Sequence, residues 1–388
     1  MGFSKRASFD ARPNPLTLLL EQKRSASLRV LDLTESNPSH CAFGALESSL
    51  LEPFKDPANL CYEPDARGLL RAREAVCAYY ASHGVTVHPE RIFLTSGTSE
   101  AYAHLFHLLC DPGDEVLCRT PVYPLVDHLA SFADVRLRRF AGRPEGAAKA
   151  VLFVNPANPT GRYADKAEWE AMERYCVKQN AALVSDEVFF DFNWSGRPKI
   201  SGASRTNGLH FTLNGVSKML GLPQMKLAWI LVSGPEEEAA QASQRLEFLA
   251  DSYLSVHTAS QNALPAWLKR KDAFVAEVLE RVKKNFECLR AHGLSPLEPE
   301  GGWYALLPLG PGRSDEKTAL HLLQAENVLV HPGYFFDLED ECLVVSLLPQ
   351  PPLFREATEK LARGLAASSG IITAHGTQRN PSVESADF

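Results

Sequence analysis

An α/β fold is predicted by three observations. Between residues 91 and 232, short apolar runs alternate with stretches of helical period, the pattern of βα repeats around a largely parallel sheet. Several of those runs end in clusters of hydroxyl, amide or carboxylate side chains just where an open α/β sheet presents its carboxyl edge to ligands. A chain of 388 residues with 45% hydrophobic content can also bury a core large enough for two domains.

The first run, residues 91–101, is an apolar strand that breaks at Thr95-Ser96-Gly97-Thr98 and opens a helix. Orphan amides at a helix start carry partial positive charge, so Ser96, Gly97 and Thr98 are candidates for holding a phosphate. An ordinary capping box with Glu100 fits the same residues. Arg136-Leu137-Arg138-Arg139 alternates in the manner of a strand with one solvated face. Residues 151–161 form a second run, stopping at Asn155-Pro156-Ala157-Asn158-Pro159-Thr160-Gly161. Asn158 lies just past the strand, with an amide able to serve a ring hydroxyl or a carboxylate, although Asn-Pro steps are also plain turn punctuation.

The third run, residues 181–188, ends in Asp186 and Glu187. A carboxylate at a strand end can hold a heterocyclic nitrogen in its protonated, electron-withdrawing form; capping the next turn is the simpler role. Next comes Asn214-Gly215-Val216-Ser217-Lys218, with another apolar run at 227–232 behind it. A lysine among apolar neighbours loses solvation of its charged form, so its amine becomes a nucleophile nearer neutral pH and can form a Schiff base with an aldehyde. Most lysines before a strand do nothing of the kind, and it is the ordered segments upstream that single out Lys218.

Beyond the repeats, residues 236–250 and 269–289 read as helices. Residues 303–307, 328–331 and 343–347 read as short strands around helices at 316–326 and 353–365. This is the pattern of a small α+β domain. Residues 368–388 are small and polar, a composition typical of disorder.

A net charge of −7 argues against a nucleic-acid footprint. No apolar run approaches the length of a membrane span, and residues 1–6 lead into polar sequence without the apolar core of a signal peptide. The eight cysteines form no CxxC pair, so neither a zinc site nor a disulfide framework is indicated; buried thiols in a reducing cytoplasm are the simplest reading. Among twelve unclustered histidines, His331 is notable for the Pro332-Gly333 turn that follows it.

Taken together, these segments resemble the class I/II aminotransferases, fold-type-I enzymes that use pyridoxal 5′-phosphate. The likeness runs from about residue 32 to 365. It rests on Cys61-Tyr62-Glu63-Pro64 with Gly68 and Arg71, Thr95-Ser96-Gly97-Thr98, Asp111-Pro112-Gly113-Asp114-Glu115, Pro121-Val122-Tyr123-Pro124, the Asn155 to Gly161 turn, Asp186-Glu187-Val188 and Ser217-Lys218. The resemblance implies a large domain, 40–265, with a mostly parallel seven-stranded sheet. It implies a small α+β domain from 1–39 and 266–367, leaving 368–388 as a tail.

By the same resemblance, Lys218 holds the cofactor as an internal aldimine and shuttles the substrate proton, and Asp186 pairs with the pyridinium nitrogen. Tyr123 stacks on the ring, Asn158 donates to its 3′-oxygen, and Ser96, Gly97, Thr98, Ser217 and Lys226 bind the phosphate. Tyr62 reaches the phosphate of a neighbouring subunit, which implies a homodimer with shared sites. The implied reaction is a ping-pong exchange in which an amino acid donor leaves its nitrogen for a 2-oxo acid acceptor. A carbon–sulfur β-eliminating lyase and a non-catalytic binder are the alternatives.

Three positions depart from the family pattern. Lys226 replaces a phosphate-binding arginine, keeping the charge without the bidentate fork. Phe189 replaces a tyrosine that donates to the ring 3′-oxygen, which is expected to raise the pKa of the lysine–cofactor linkage. Val344 stands where an arginine usually grips the substrate carboxylate, and a valine cannot do so.

Overall fold

The protein is described by a computed structural model over residues 4–7 and 12–367, so the 368–388 tail lies outside the described residues. Its strands are β1 (Leu31–Asp32), β2 (Ile92–Thr95), β3 (Glu115–Arg119), β4 (Arg136–Phe140), β5 (Ala150–Val154), β6 (Ala182–Asp186) and β7 (His210–Gly215). They continue with β8 (Ala228–Ser233), β9 (Tyr304–Pro308), β10 (Val328–Leu329), β11 (His331–Pro332) and β12 (Cys342–Ser346). The helices are α1 (Pro15–Ser25), α2 (Leu70–Ser82), α3 (Thr98–Leu109), α4 (Leu125–Phe132), α5 (Lys166–Gln179) and α6 (Val216–Met219). After them come α7 (Glu236–Tyr253), α8 (Thr258–Leu268), α9 (Lys271–Ala291), α10 (Asp315–His321) and α11 (Pro351–Ala367).

Seven strands form the central sheet in the order β2-β8-β7-β6-β5-β3-β4. Only β8 runs against its neighbours; the other pairings are parallel. Strands β5, β6 and β7 are buried along their whole length, as continuous apolar runs covered on both faces should be. Edge strand β4 leaves Arg136 exposed and Arg138 and Arg139 half-buried, so the Arg136–Arg138 face is the more solvated one.

Phe93, Leu152, Val184 and Phe211 pack one face of the sheet against α3, while Val151, Phe153 and Leu183 pack the other against Trp169 and Met172 of α5. Helix α5 is bounded by local chemistry: Asp165 and Glu168 make a reciprocal capping box, and Asn180 closes the helix in the left-handed region at φ 52°.

A second core gathers Leu16, Leu31 and Leu33 with Val278, Phe286, Leu322, Val345 and Phe354. Strand β1 pairs in parallel with β10, and β11-β12-β9 form a separate antiparallel sheet. Lys23 fastens α1 to this unit by donating to Gln324 O at 3.0 Å and Asn327 Oδ1 at 2.7 Å.

Boundaries differ from expectation in two informative places. The apolar run 328–331 is two strands in two sheets, because the backbone leaves β1 after Leu329 and joins β12 at His331. The helix expected over 316–326 ends its α-turns at His321 and finishes as a π-turn, Leu322–Glu326.

Candidate active site

The scattered motifs meet because strand direction brings their ends to one edge. Parallel strands β2, β3, β5, β6 and β7 all finish on the same side, delivering Ser96 to Thr98, Tyr123, Asn158, Asp186 and Ser217-Lys218 there. Strand β8 runs the other way, so its beginning lies on that edge too: Ala228 sits opposite both Thr95 and Gly215. That reversal carries Lys226 to the turn between β2 and α3.

At this turn Gly97 is the N-cap of α3 with no side-chain cap. A Cβ added to Gly97 would stand 3.6 Å from Lys226 Nζ, filling the hollow between the helix amides and the ammonium. The first amides of α3 have no helical acceptor and point into that hollow. An anion is what such a cradle accommodates. The capping interaction is present as well, one residue earlier than a capping box would put it. Ser96 donates both its amide, at 2.5 Å, and its hydroxyl, at 2.9 Å, to Glu100 Oε2. The Ser96 hydroxyl is therefore spent locally, and the hollow belongs to Gly97, Thr98 and Lys226.

Asp186 is fully buried at the end of β6 and accepts from the Tyr102 hydroxyl at 2.7 Å and the Val188 amide at 3.1 Å. Burial raises its carboxyl to about 6 against these donors and the charge of Lys218. A buried carboxylate this poorly compensated favours a cationic partner, and a protonated ring nitrogen is one. Its neighbour Glu187 does purely structural work on another side, accepting from Ser201 Oγ at 2.6 Å and the Gly202 amide at 2.7 Å.

Lys218 is half-buried in α6, with Nζ 5.9 Å from the centre of the Phe189 ring and 5.6 Å from that of Trp303. Desolvation lowers its amine to about 8, against the pull of Asp186. Among these groups Asn158 is buried with Oδ1 lacking any partner, an acceptor open to a donor from outside the chain. Tyr123 lies beside Tyr102, ring centres 6.3 Å apart, with its phenol raised by burial and by Asp186. A buried acid, a lysine of lowered pKa, an unsatisfied amide and an anion cradle fit the ring, aldehyde and phosphate of pyridoxal 5′-phosphate.

The departures also have places. Phe189 packs edge-on against Trp303 at 4.8 Å. Val344 is fully buried in the second core, opposite His331 and Leu306. Burial keeps His331 neutral by lowering it to about 4. Tyr62 is 67% exposed. Sequence reading missed Tyr102. It lies four residues after Thr98 on α3, the spacing that puts two side chains on one helix face, so the cradle itself marked the position.

A family model for aminotransferase class I and II matches residues 55–361. The chain belongs to the aminotransferase class I and II family. It is 26% identical over 370 residues to a glutamate–pyruvate aminotransferase of Haemophilus influenzae, covering 87% of this chain and 91% of that one. It is 30% identical over 329 residues to an aspartate/prephenate aminotransferase of Thermus thermophilus, covering 78% and 83%. An alanine aminotransferase from Pyrococcus furiosus shares the fold with a TM-score of 0.85 at 22% identity, covering 94% of this chain and all of that one. The chain is thus an aminotransferase of fold type I, and these matches do not favour the lyase alternative. Among the described residues no helix is long and apolar enough to cross a membrane.

Proposed function

We propose that this aminotransferase carries pyridoxal 5′-phosphate at the carboxyl edge of the seven-stranded sheet and moves an amino group from an amino acid to a 2-oxo acid. The observation that carries the reading is the convergence of Lys218, Asp186, Asn158 and the Gly97–Lys226 hollow on one edge. When bound, the cofactor supplies an aldehyde and an electron-withdrawing ring that takes up the electron pair released at the substrate α-carbon.

The chain's own groups divide the remaining work. Lys218 Nζ would hold the cofactor at its aldehyde and, when a substrate amine takes that place, would accept and return the α-proton. Asp186 would keep the ring nitrogen protonated, and Tyr102 and the Val188 amide hold that carboxylate in place. Tyr123 would cover the ring, and Asn158 would donate to its 3′-oxygen through Nδ2, leaving its buried Oδ1 open to a donor. The Gly97 and Thr98 amides, the Ser217 hydroxyl and Lys226 hold the phosphate, with Ser96 contributing through the turn it ties to Glu100.

A homodimer belongs to the same reading. Exposed Leu60 and Tyr62 are linked to the exposed end of α7 through Asp65–Ser255 and Arg67–Glu247 contacts, and Phe248, Tyr253 and Leu254 are exposed there. Together they make an apolar surface suited to a second copy, which would bring Tyr62 to the other subunit's phosphate. The large unit is taken as 40–265 and the small one as 1–39 with 266–367. Eight unpaired thiols accord with a cytoplasmic setting. Relatives named for glutamate and pyruvate make those the first donor and acceptor to try.

The deciding experiment is an absorbance spectrum of the protein with pyridoxal 5′-phosphate, before and after L-glutamate and then pyruvate. The expected result is a lysine-bound cofactor band that disappears with the donor and returns with the acceptor, and that is missing in Lys218→Ala together with essentially all turnover. Turnover retained in Lys218→Ala refutes the assignment.

A further inference from the structure

Behind Lys218 runs a chain of buried hydrogen bonds that ends on a carboxylate outside the active site. Asp191, in the segment after β6, is buried and faces groups from three directions. Tyr79 of α2 donates to Oδ2 at 3.0 Å, His83 just past α2 lies 3.1 Å from Oδ1, and Lys271 at the start of α9 donates to Oδ1 at 3.0 Å. Burial pushes the Asp191 carboxyl up, but the His83 bond and the charges of Lys271 and Lys199 outweigh it and hold the group well below the usual range. Asp191 is therefore an anion that only accepts hydrogen bonds.

That single fact propagates. The Tyr79 hydroxyl, itself kept protonated by burial and by Asp191, Tyr80 and Glu187, has one O–H and donates it in a hydrogen bond to Asp191. Its oxygen is left to accept, and Asn214 Nδ2 donates to it at 3.2 Å. With its amino end so committed, the Asn214 amide must turn Oδ1 toward the Gly215 amide, which donates at 2.7 Å. Gly215 has no slack on its other side, since a Cβ there would come within 2.7 Å of Ala228 Cβ. Gly215 is also the N-cap of α6, the turn that presents Lys218.

We propose that Tyr79 and Asn214 are positioning residues for Lys218, their orientation fixed by the Asp191 carboxylate and passed to α6 through the Gly215 amide. The inference rests on Lys218 being the reacting amine. It assigns to the aromatic end of α2 and the start of α9 a share in the geometry of the active site.

The test uses the cofactor-loaded protein and the single-turnover loss of its absorbance band with L-glutamate, alongside urea unfolding. Tyr79→Phe and Asn214→Leu are each expected to lower the maximal rate about 10-fold at nearly unchanged half-saturating donor concentration, by misplacing the amine. The double variant is expected to be no slower than the worse single one, since both break one relay. Asn214→Asp separates positioning from mere packing. Ionised, it cannot donate to Tyr79; protonated, it can, so its rate relative to wild type is expected to recover about 10-fold between pH 8 and pH 6. In the cofactor-free protein, amide exchange at residues 215–218 is expected to quicken in Tyr79→Phe. Wild-type rates in folded Tyr79→Phe, multiplying effects in the double variant, or a flat Asn214→Asp ratio each overturn the proposal. Should Tyr79→Phe not fold, the Asn214→Asp ratio decides alone. A wild-type protein without a lysine-bound band defeats the reading of Lys218 itself and this inference with it.

Discussion

A lysine amine and a carboxylate buried at one sheet edge have consequences that pH makes visible. Lys218 is lowered to about 8 from an ordinary 10.5 because burial penalises its charge. Only the neutral amine attacks an aldehyde, so capture of pyridoxal 5′-phosphate by the cofactor-free protein should accelerate as pH rises and level off with a midpoint near 8. Stopped-flow absorbance between pH 6 and 10 checks this; a midpoint near 10 would contradict it. Stability follows the same sign. Between about 8 and 10.5 the unfolded lysine still holds the proton that the folded one has released, so the unfolded state binds more protons and folding gains stability as pH climbs through that window. Residues of this kind are legible in the sequence because each sits at the end of an apolar run. Asp191 and Tyr79 are not. Their meaning lies in contacts between segments far apart in the chain, and a tyrosine in a helix carries no mark of the carboxylate it will meet.

At the scale of elements, turns decide how closely the two cores approach. Gly161 closes the Asn-Pro turn at φ +69°, and a Cβ there would lie 2.2 Å from the Gly301 carbonyl and 2.9 Å from Pro299 Cβ. Gly161→Ala adds left-handed strain and a backbone clash, and is expected to cost about 1–3 kcal/mol, read as a lower urea midpoint at unchanged slope. A midpoint equal to wild type would show that the turn can yield. The glycine's presence is plain in the sequence; its necessity is not, because Gly301 arrives from the far end of the chain. The strands of the large sheet are legible for the converse reason. Their apolar runs are continuous and bounded by turn residues, so little but a buried parallel sheet fits them. The run at 328–331 looks the same in composition, and nothing in it announces that Leu329 and His331 pair in different sheets.

At the scale of the whole molecule, the exposed apolar groups on α7 and the segment before α2 define where self-association should act. Phe248 is 78% exposed, so Phe248→Asp leaves the fold intact while placing a charge on the proposed contact surface. The variant is expected to weaken dimerisation at least about 10-fold and to loosen cofactor retention, because Tyr62 would no longer be delivered across the contact. Sedimentation velocity across a dilution series measures the first and gel filtration with absorbance the second; a wild-type monomer would remove the surface's role. Charge balance and the fold type are legible in the amino-acid sequence itself, since both follow from residue counts and the order of apolar runs. The partner surface is not, because an exposed phenylalanine on a helix has the same sequence signature as a buried one.

The antiparallel strand β8 has a further consequence for how the protein is made. Strand β2 lies at the edge of the sheet and pairs with β8 alone. During synthesis it must therefore wait, unpaired, until β3 to β7 have left the ribosome and β8 follows them. Because β8 also begins beside Lys226, the hollow between Gly97 and Lys226 forms only when the sheet is finished. On the proposed reading, cofactor capture then marks a completed sheet: a truncated product ending before Ala228 has Lys218 but no finished cradle, and it carries an uncovered strand edge that is prone to aggregate.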